Sequence, residues 1–260
     1  MSLVDSHCHL NYPGLVEDQA GVIARARQAG VELMIAIGTK TREWPEVIAI
    51  AEREPDVVAT VGVHPHEAAA EPDLDTATIV AACTHPRVVG IGETGLDYYY
   101  DKSPRDRQAA NFCAHIHAAQ DTGLPLVVHT RDAEADTLDI LRREMARAPF
   151  TGVIHCFTAS QAFAEAALAL GFYISLSGIV TFKSARDLQE TARSLPLEML
   201  LVETDAPYLA PVPMRGKPCE PAFVAHTAAF VANLKGVAPA ELARITTQNA
   251  YRLFHKAARP

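Results

Sequence analysis

Apolar and polar positions along this chain repeat in a strand–helix rhythm. Eight short apolar runs, rich in β-branched residues or bounded by turn signals, read as strands: Leu3–His9, Val31–Gly38, Val57–His64, Val88–Glu93, Pro125–His129, Gly152–Phe157, Phe172–Ser177 and Met199–Asp205. The segments between them carry helical period and end signals. Ser103-Pro104-Arg105-Asp106 places an N-cap, a proline at the first helical position and an acid in the first turn, and Gly123 closes that helix. Ser160 and Gly171 bracket another in the same way. After the eighth run, a Pro-rich loop, Ala206–Pro221, leads into two helical segments, Ala222–Leu234 and Pro239–His255. Strict alternation argues for a parallel sheet, and 260 residues suit a (β/α)8 TIM barrel with an extra C-terminal helix. No composition shift or linker divides the chain, so one domain over residues 1–260 is expected. A doubly wound open sheet would call for a glycine-rich phosphate loop after the first strand, and none is present there.

The pattern becomes chemical at the strand ends. His7 and His9 close the first apolar run, His64 the third, Glu93 the fourth, His129 the fifth, His155 the sixth and Asp205 the eighth. In a (β/α)8 barrel the C-terminal strand ends ring one mouth, where active sites are built. Residues two apart on a strand share a face, so His7 and His9 present two imidazoles side by side. His115 and His117 have the same spacing, but they lie mid-helix, where such residues diverge. They read as structural, one half-buried and one solvated. His66, His85, His226 and His255 read as solvated loop or helix side chains.

Glu93 sits in Gly92-Glu93-Thr94-Gly95-Leu96-Asp97, where flanking glycine permits close approach and a central carboxylate can serve two cations. Asp205 is placed to hold a water and take its proton. Glu203 and Asp5, one layer deeper, are expected to orient the ligands. For Asp97, a structural role in the loop and a catalytic one both stand. Four imidazoles with two carboxylates favour Zn, Mn, Co or Ni ahead of Mg.

Charge limits the partners. The formal net charge of −8 excludes a long basic face for duplex DNA. Lys102, Arg105, Arg131, Lys183, Arg186, Arg215 and Lys217 nevertheless all follow strand ends. They read either as a basic collar for a short anionic substrate, such as a single-strand end, or as ordinary solvated loop charge. Five cysteines without a C-x-x-C pair, together with no signal or membrane-spanning run, lead to the expectation of a soluble cytoplasmic protein.

Together, Asp5-Ser6-His7-Cys8-His9-Leu10, Gly62-Val63-His64-Pro65, the Gly92–Asp97 segment, Pro125–His129, His155-Cys156-Phe157 and Glu203-Thr204-Asp205-Ala206-Pro207-Tyr208-Leu209 resemble the TatD family of metal-dependent deoxyribonucleases. The resemblance continues through Ser177-Gly178 and Thr181-Phe182-Lys183 to Thr247-Gln248-Asn249-Ala250 and Leu253-Phe254. It implies an amidohydrolase-like barrel with two divalent metal ions activating a hydroxide for 3'-5' exonuclease-like cleavage of single-stranded DNA or another small phosphodiester. It implies that His7, His9 and Glu93 bind one metal, with Asp205 at that metal and facing the water, and that Glu93, His129 and His155 bind the second. His64 would contact the substrate phosphate or its leaving group. Arg131, Lys183, Arg215 and Lys217 are carried as substrate contacts, and Glu203 with Glu93, His64 and Asp205 as the catalytic set. One departure is Cys219 in Arg215-Gly216-Lys217-Pro218-Cys219-Glu220-Pro221, where the family commonly has an asparagine. Two rivals share the ligands: a deacylase or amidohydrolase acting on an ester such as D-aminoacyl-tRNA, and a non-catalytic metal-stabilised scaffold.

Overall fold

A computed structural model describes residues 2–257; residue 1 and residues 258–260 of the expected domain lie outside the described residues. Eight strands form one parallel sheet in sequence order. They are β1 (Leu3–Cys8), β2 (Val31–Ile37), β3 (Val57–Val61), β4 (Val88–Asp97), β5 (Leu126–Arg131), β6 (Gly152–Ile154), β7 (Tyr173–Leu176) and β8 (Leu200–Val202). The helices between them are α1 (Gln19–Gln28), α2 (Trp44–Arg53), α3 (Thr76–Cys83), α4 (Arg105–Thr122), α5 (Glu134–Arg147), α6 (Gln161–Ala169) and α7 (Arg186–Ser194). After β8, α8 (Val224–Lys235) and α9 (Pro239–Leu253) complete the alternation and add the extra C-terminal helix. A parallel bridge between Cys8 at the end of β1 and Ala206, in the turn after β8, closes the barrel.

Both faces of the strands are buried, and the two-residue period divides their residues between two packing clusters. Leu33, Ile35 and Ile37 of β2, Val127 of β5, Val153 of β6 and Leu201 of β8 pack in one cluster with Ala250, Leu253 and Phe254 from the end of α9. Met34 and Ala36, Leu126 and Val128, and Ile154 belong to a second cluster with the helices. Two steps beyond Val127 and Val153 lie His129 and His155, and beyond Leu201 lie Glu203 and Asp205. The apolar series therefore becomes polar at the mouth without changing face.

The helix ends expected at Gly123, Ser160 and Gly171 hold, and the one at Ser103 is corrected. Gly123 takes φ 71° after α4, and the Ser160 hydroxyl accepts the Phe163 N–H at 3.2 Å. Ser103 does not cap α4: its hydroxyl accepts the Ala69 N–H at 3.1 Å and donates to the His66 carbonyl at 2.9 Å. That places it between the loops that follow β3 and β4. Gln108 fixes the same region, accepting the Asp97 N–H and donating to the Ser103 carbonyl, each at 2.8 Å. No helix among the described residues is long and apolar enough to cross a membrane.

Candidate metal centre

Close backbone packing puts Glu93 at the centre of the mouth. A Cβ on Gly62 would lie 2.4 Å from the Gly92 backbone, and one on Gly92, at φ 129°, would lie 2.5 Å from the Val127 carbonyl oxygen. β3, β4 and β5 can therefore approach this closely only with glycine at both positions. The peptide between Gly92 and Glu93 is cis. Unlike the expected strand, which stopped at Glu93, β4 continues to Asp97. Conversely, β6 and β8 stop before His155 and Glu203, and the backbone then turns through positive φ at Cys156 (44°) and Asp205 (59°). Non-glycine residues held there store strain that the surrounding packing must support.

The Glu93 carboxylate faces two sets of donors. Its Oε2 lies 3.3 Å from His7 Nε2 and 4.0 Å from His9 Nε2. Asp205 Oδ1 completes that set, 3.6 Å from His7 Nε2 and 3.4 Å from His9 Nε2, and the two imidazole nitrogens are 3.3 Å apart. Oε1 lies 2.9 Å from His129 Nδ1, 2.8 Å from His155 Nε2 and 3.3 Å from His64 Nε2. Donors about 2.0–2.2 Å from one cation, at tetrahedral to octahedral angles, stand roughly 2.9–3.5 Å apart. Most spacings in both sets fall in or close to that range, and the nitrogen and carboxylate oxygen chemistry suits a divalent transition metal. The residues present fit the group. His64, expected to meet the substrate, stands in the second set alongside His129.

The supports lie directly behind. Glu203 Oε1 accepts the Cys156 N–H at 2.8 Å and stands 3.3 Å from His155 Nδ1; its Oε2 is buried without a protein partner. Asp5 accepts the Thr204 N–H at 2.9 Å and the Thr204 hydroxyl at 2.6 Å, tying β1 to the turn that carries Asp205. Burial pushes the Asp5 carboxyl up to about 8, against the lowering effect of the Thr204 bonds. Burial also opposes ionisation of Glu93, yet the surrounding His155 and His64 and the bonds from His129 and His155 hold it well below the ordinary range. Burial disfavours a charged His155, but Glu93 and Glu203 outweigh it and raise its pKa. His64 is pushed down to about 4, chiefly by burial.

Asp97 is more connected than expected. Oδ2 stands 3.1 Å from His129 Nε2 and 2.8 Å from His66 Nε2, while Oδ1 accepts the Tyr99 and Tyr100 N–H groups at 3.1 and 2.9 Å. His66 is thereby corrected: it is a half-buried wall of the cavity above the centre rather than a solvated loop side chain. Its position two residues after His64 was the available signal. His115 is fully buried, accepting the Val63 N–H on Nε2 at 3.0 Å and donating from Nδ1 to the Asn111 carbonyl at 2.7 Å. His117 and His85 pair with Glu144 and Glu52, and His226 packs near Phe223.

The cavity above the centre encloses about 730 Å³. Of the expected basic collar, Lys102 and Arg131 line it, joined by Lys40 after β2, which the sequence reading missed. Lys183, Arg186, Arg215 and Lys217 are exposed and outside its lining, and Arg215 instead lies over the Phe182 ring, 4.0 Å from the centroid. Arg105 turns to Asp101 and the Tyr98 ring. Tyr12 and Tyr208 also line the cavity, Tyr12 stacked on His9 at 4.5 Å. Cys219 is fully buried, its N–H donating to the Pro207 carbonyl at 3.0 Å, so the loop is held there through backbone and an apolar thiol.

A parallel barrel with histidine and carboxylate donors converging on its mouth defines a metal-dependent hydrolase. The chain belongs to the TatD family: the family model described as TatD related DNase matches residues 4–255. It is 46% identical over 258 residues to the uncharacterized metal-dependent hydrolase YcfH of Escherichia coli, covering 98% of this chain and 96% of the other. It is 38% identical over 249 residues to the 3'-5' ssDNA/RNA exonuclease TatD of a Rahnella species, covering 94% of each. Among solved structures, the TatD homologue YjjV of Escherichia coli superposes with a TM-score of 0.87 at 28% identity, over 97% of this chain and 98% of that one.

Proposed function

We propose that this chain, read as one barrel domain, is a cytoplasmic nuclease that hydrolyses phosphodiester bonds at the 3' end of single-stranded DNA, using two divalent metal ions. The observation that carries the reading is Glu93, whose two oxygens face separate donor sets across a mouth open to solvent. The exonuclease name of the Rahnella relative supports the substrate class. When bound, zinc, manganese, cobalt or nickel would supply Lewis acidity at phosphorus and make the attacking water more acidic.

The chain's own residues do the rest. His7, His9, Asp205 and Glu93 Oε2 would hold one ion; His129, His155 and Glu93 Oε1 the other. Asp205, at the mouth, accepts the proton of the attacking water; factors on the order of 10²–10⁴ are typical of such general bases. Glu203 keeps His155 Nε2 turned to Glu93 by occupying Nδ1, and Asp97 does the same for His129 through Nε2. His64, beside the second donor set, would meet the phosphate or the departing sugar oxygen, while Lys102 and Arg131 would receive neighbouring phosphates.

The test is cleavage of a 5'-labelled single-stranded oligonucleotide by protein stripped with chelator and reloaded with each metal. Shortening from the 3' end, lost on stripping, restored by metal and abolished in Glu93→Gln, is expected. Cleavage of D-aminoacyl-tRNA without any oligonucleotide cleavage transfers the site to the deacylase reading. A fall in melting temperature on stripping, with no hydrolysis of either substrate, leaves only a scaffold.

A further inference from the structure

Three consecutive tyrosines follow the strand that carries Glu93, and the metal chemistry uses none of them. Tyr98 is anchored, its hydroxyl donating to Asp136 at 2.7 Å. Tyr99 and Tyr100 point outward, 58% and 51% exposed. Large aromatic side chains left this open on a rim are uncommon and mark contact surfaces. The Arg131 guanidinium lies over both rings, 4.1 Å from the Tyr99 centroid and 4.8 Å from that of Tyr100. Tyr100, Arg131 and Lys102 line the cavity, whereas Tyr99 stands just outside its lining. The rings therefore form a path that leaves the metal centre and climbs onto the surface.

The path is held in place. Asp97 Oδ1 accepts both the Tyr99 and Tyr100 N–H groups, and its Oδ2 reaches His129 in the metal centre. Gln108 clamps the backbone on either side, at Asp97 and at Ser103. A rigid aromatic surface binds without first being ordered, so little of its contact energy is lost. Alternating rings and cations are the chemistry of single-stranded nucleic acid: bases stack on the rings while cations meet the phosphates between them. A duplex hides its base faces and could not use this surface.

We propose that Tyr100 and Tyr99, bridged by Arg131, are a base-stacking subsite that holds the two nucleotides next to the scissile bond of a single strand. The assignment rests on the nuclease reading and supplies its selection of single over double strands. Each lost stack is expected to weaken binding by about tenfold.

The experiment compares wild type, Tyr99→Ala, Tyr100→Ala, Tyr99→Phe and Tyr100→Phe on a short oligonucleotide and on its counterpart carrying abasic sites at the two nucleotides beside the 3'-terminal bond. Wild type should favour the complete oligonucleotide in KM by about a hundredfold, roughly tenfold for each of the two stacks. That ratio should fall about tenfold in each alanine variant and return in each phenylalanine variant, since a phenyl ring still stacks. Fluorescence anisotropy of the same oligonucleotides on metal-stripped protein should give the same ranking, independently of turnover. If wild type cleaves the oligonucleotide but the ratio is unchanged in the alanine variants, the subsite is overturned while the nuclease stands. If wild type cleaves no oligonucleotide yet hydrolyses another ester, the nuclease reading falls, and this assignment with it.

Discussion

Asp97 Oδ2 lies 3.1 Å from His129 Nε2, which turns the other nitrogen of that ring, Nδ1, to Glu93. A carboxylate behind a metal-binding imidazole fixes its tautomer and raises its basicity. Asp97→Asn keeps an oxygen for the Tyr99 and Tyr100 N–H groups but loses the charge on His129. Metal affinity, measured by competition with a chelator, is expected to fall 10- to 100-fold.

Gly62 has an ordinary backbone conformation, so its substitution tests packing alone. Gly62→Ala places a methyl 2.4 Å from the Gly92 backbone, with no flexible side chain to yield. The expected cost is about 1–3 kcal/mol in denaturant unfolding. A weaker metal isotherm should accompany it, because the displaced strand carries Glu93.

His115 links stability to pH. Burial pushes this imidazole down to about 4 from an ordinary value of 6.5, and its Nε2 already accepts the Val63 N–H. A depressed histidine pKa means that the unfolded chain takes up the proton first. The contribution is fully present above pH 6.5 and is lost as pH falls toward 4. It amounts to roughly 3 kcal/mol for a fully buried ring. In chemical unfolding of the metal-stripped protein, the difference between wild type and His115→Gln should shrink by about that amount across the window. A constant difference would show that His115 titrates alike in the folded and unfolded chains.

Salt dependence separates the cations that line the cavity from those outside it. Lys102→Ala and Arg131→Ala are each expected to lower the slope of log KM against log salt by up to about one, the signature of one phosphate contact. Lys217→Ala, exposed on the loop after β8, should leave the slope within error. The reverse ranking would move the strand's path to the other side of the mouth.

Much of this site was legible because a barrel converts strand order into a ring. His129, His155, Glu203 and Asp205 continue the inward two-residue step of Val127, Val153 and Leu201, so apolar alternation alone aims them. β1 is different. Val4 packs with the inward cluster, and His7 and His9 lie an odd number of steps away; a register irregularity between Asp5 and Cys8 accompanies the change of face. Nothing in the residue pattern announces it. The positive φ at Cys156 and Asp205 was equally hidden, since neither is glycine. Ser103 looked like a cap because its neighbours fit a cap, while its hydroxyl was taken by a loop more than thirty residues away in sequence. Solvated readings of lone histidines failed for His66 because the partner, Asp97, belongs to another strand.

The bridge that shuts the barrel lies between Cys8 and Ala206, flanked by the His9 N–H donating to Ala206 at 2.8 Å and the Asp205 N–H donating to His7 at 2.9 Å. His7, His9 and Asp205 thus stand on both sides of a seam whose halves are synthesised nearly two hundred residues apart. A nascent chain emerging from the ribosome carries the two histidines almost at once but has no Asp205 to set against them until most of the barrel has been made. The first donor set is therefore complete only once the two ends of the barrel wall have met.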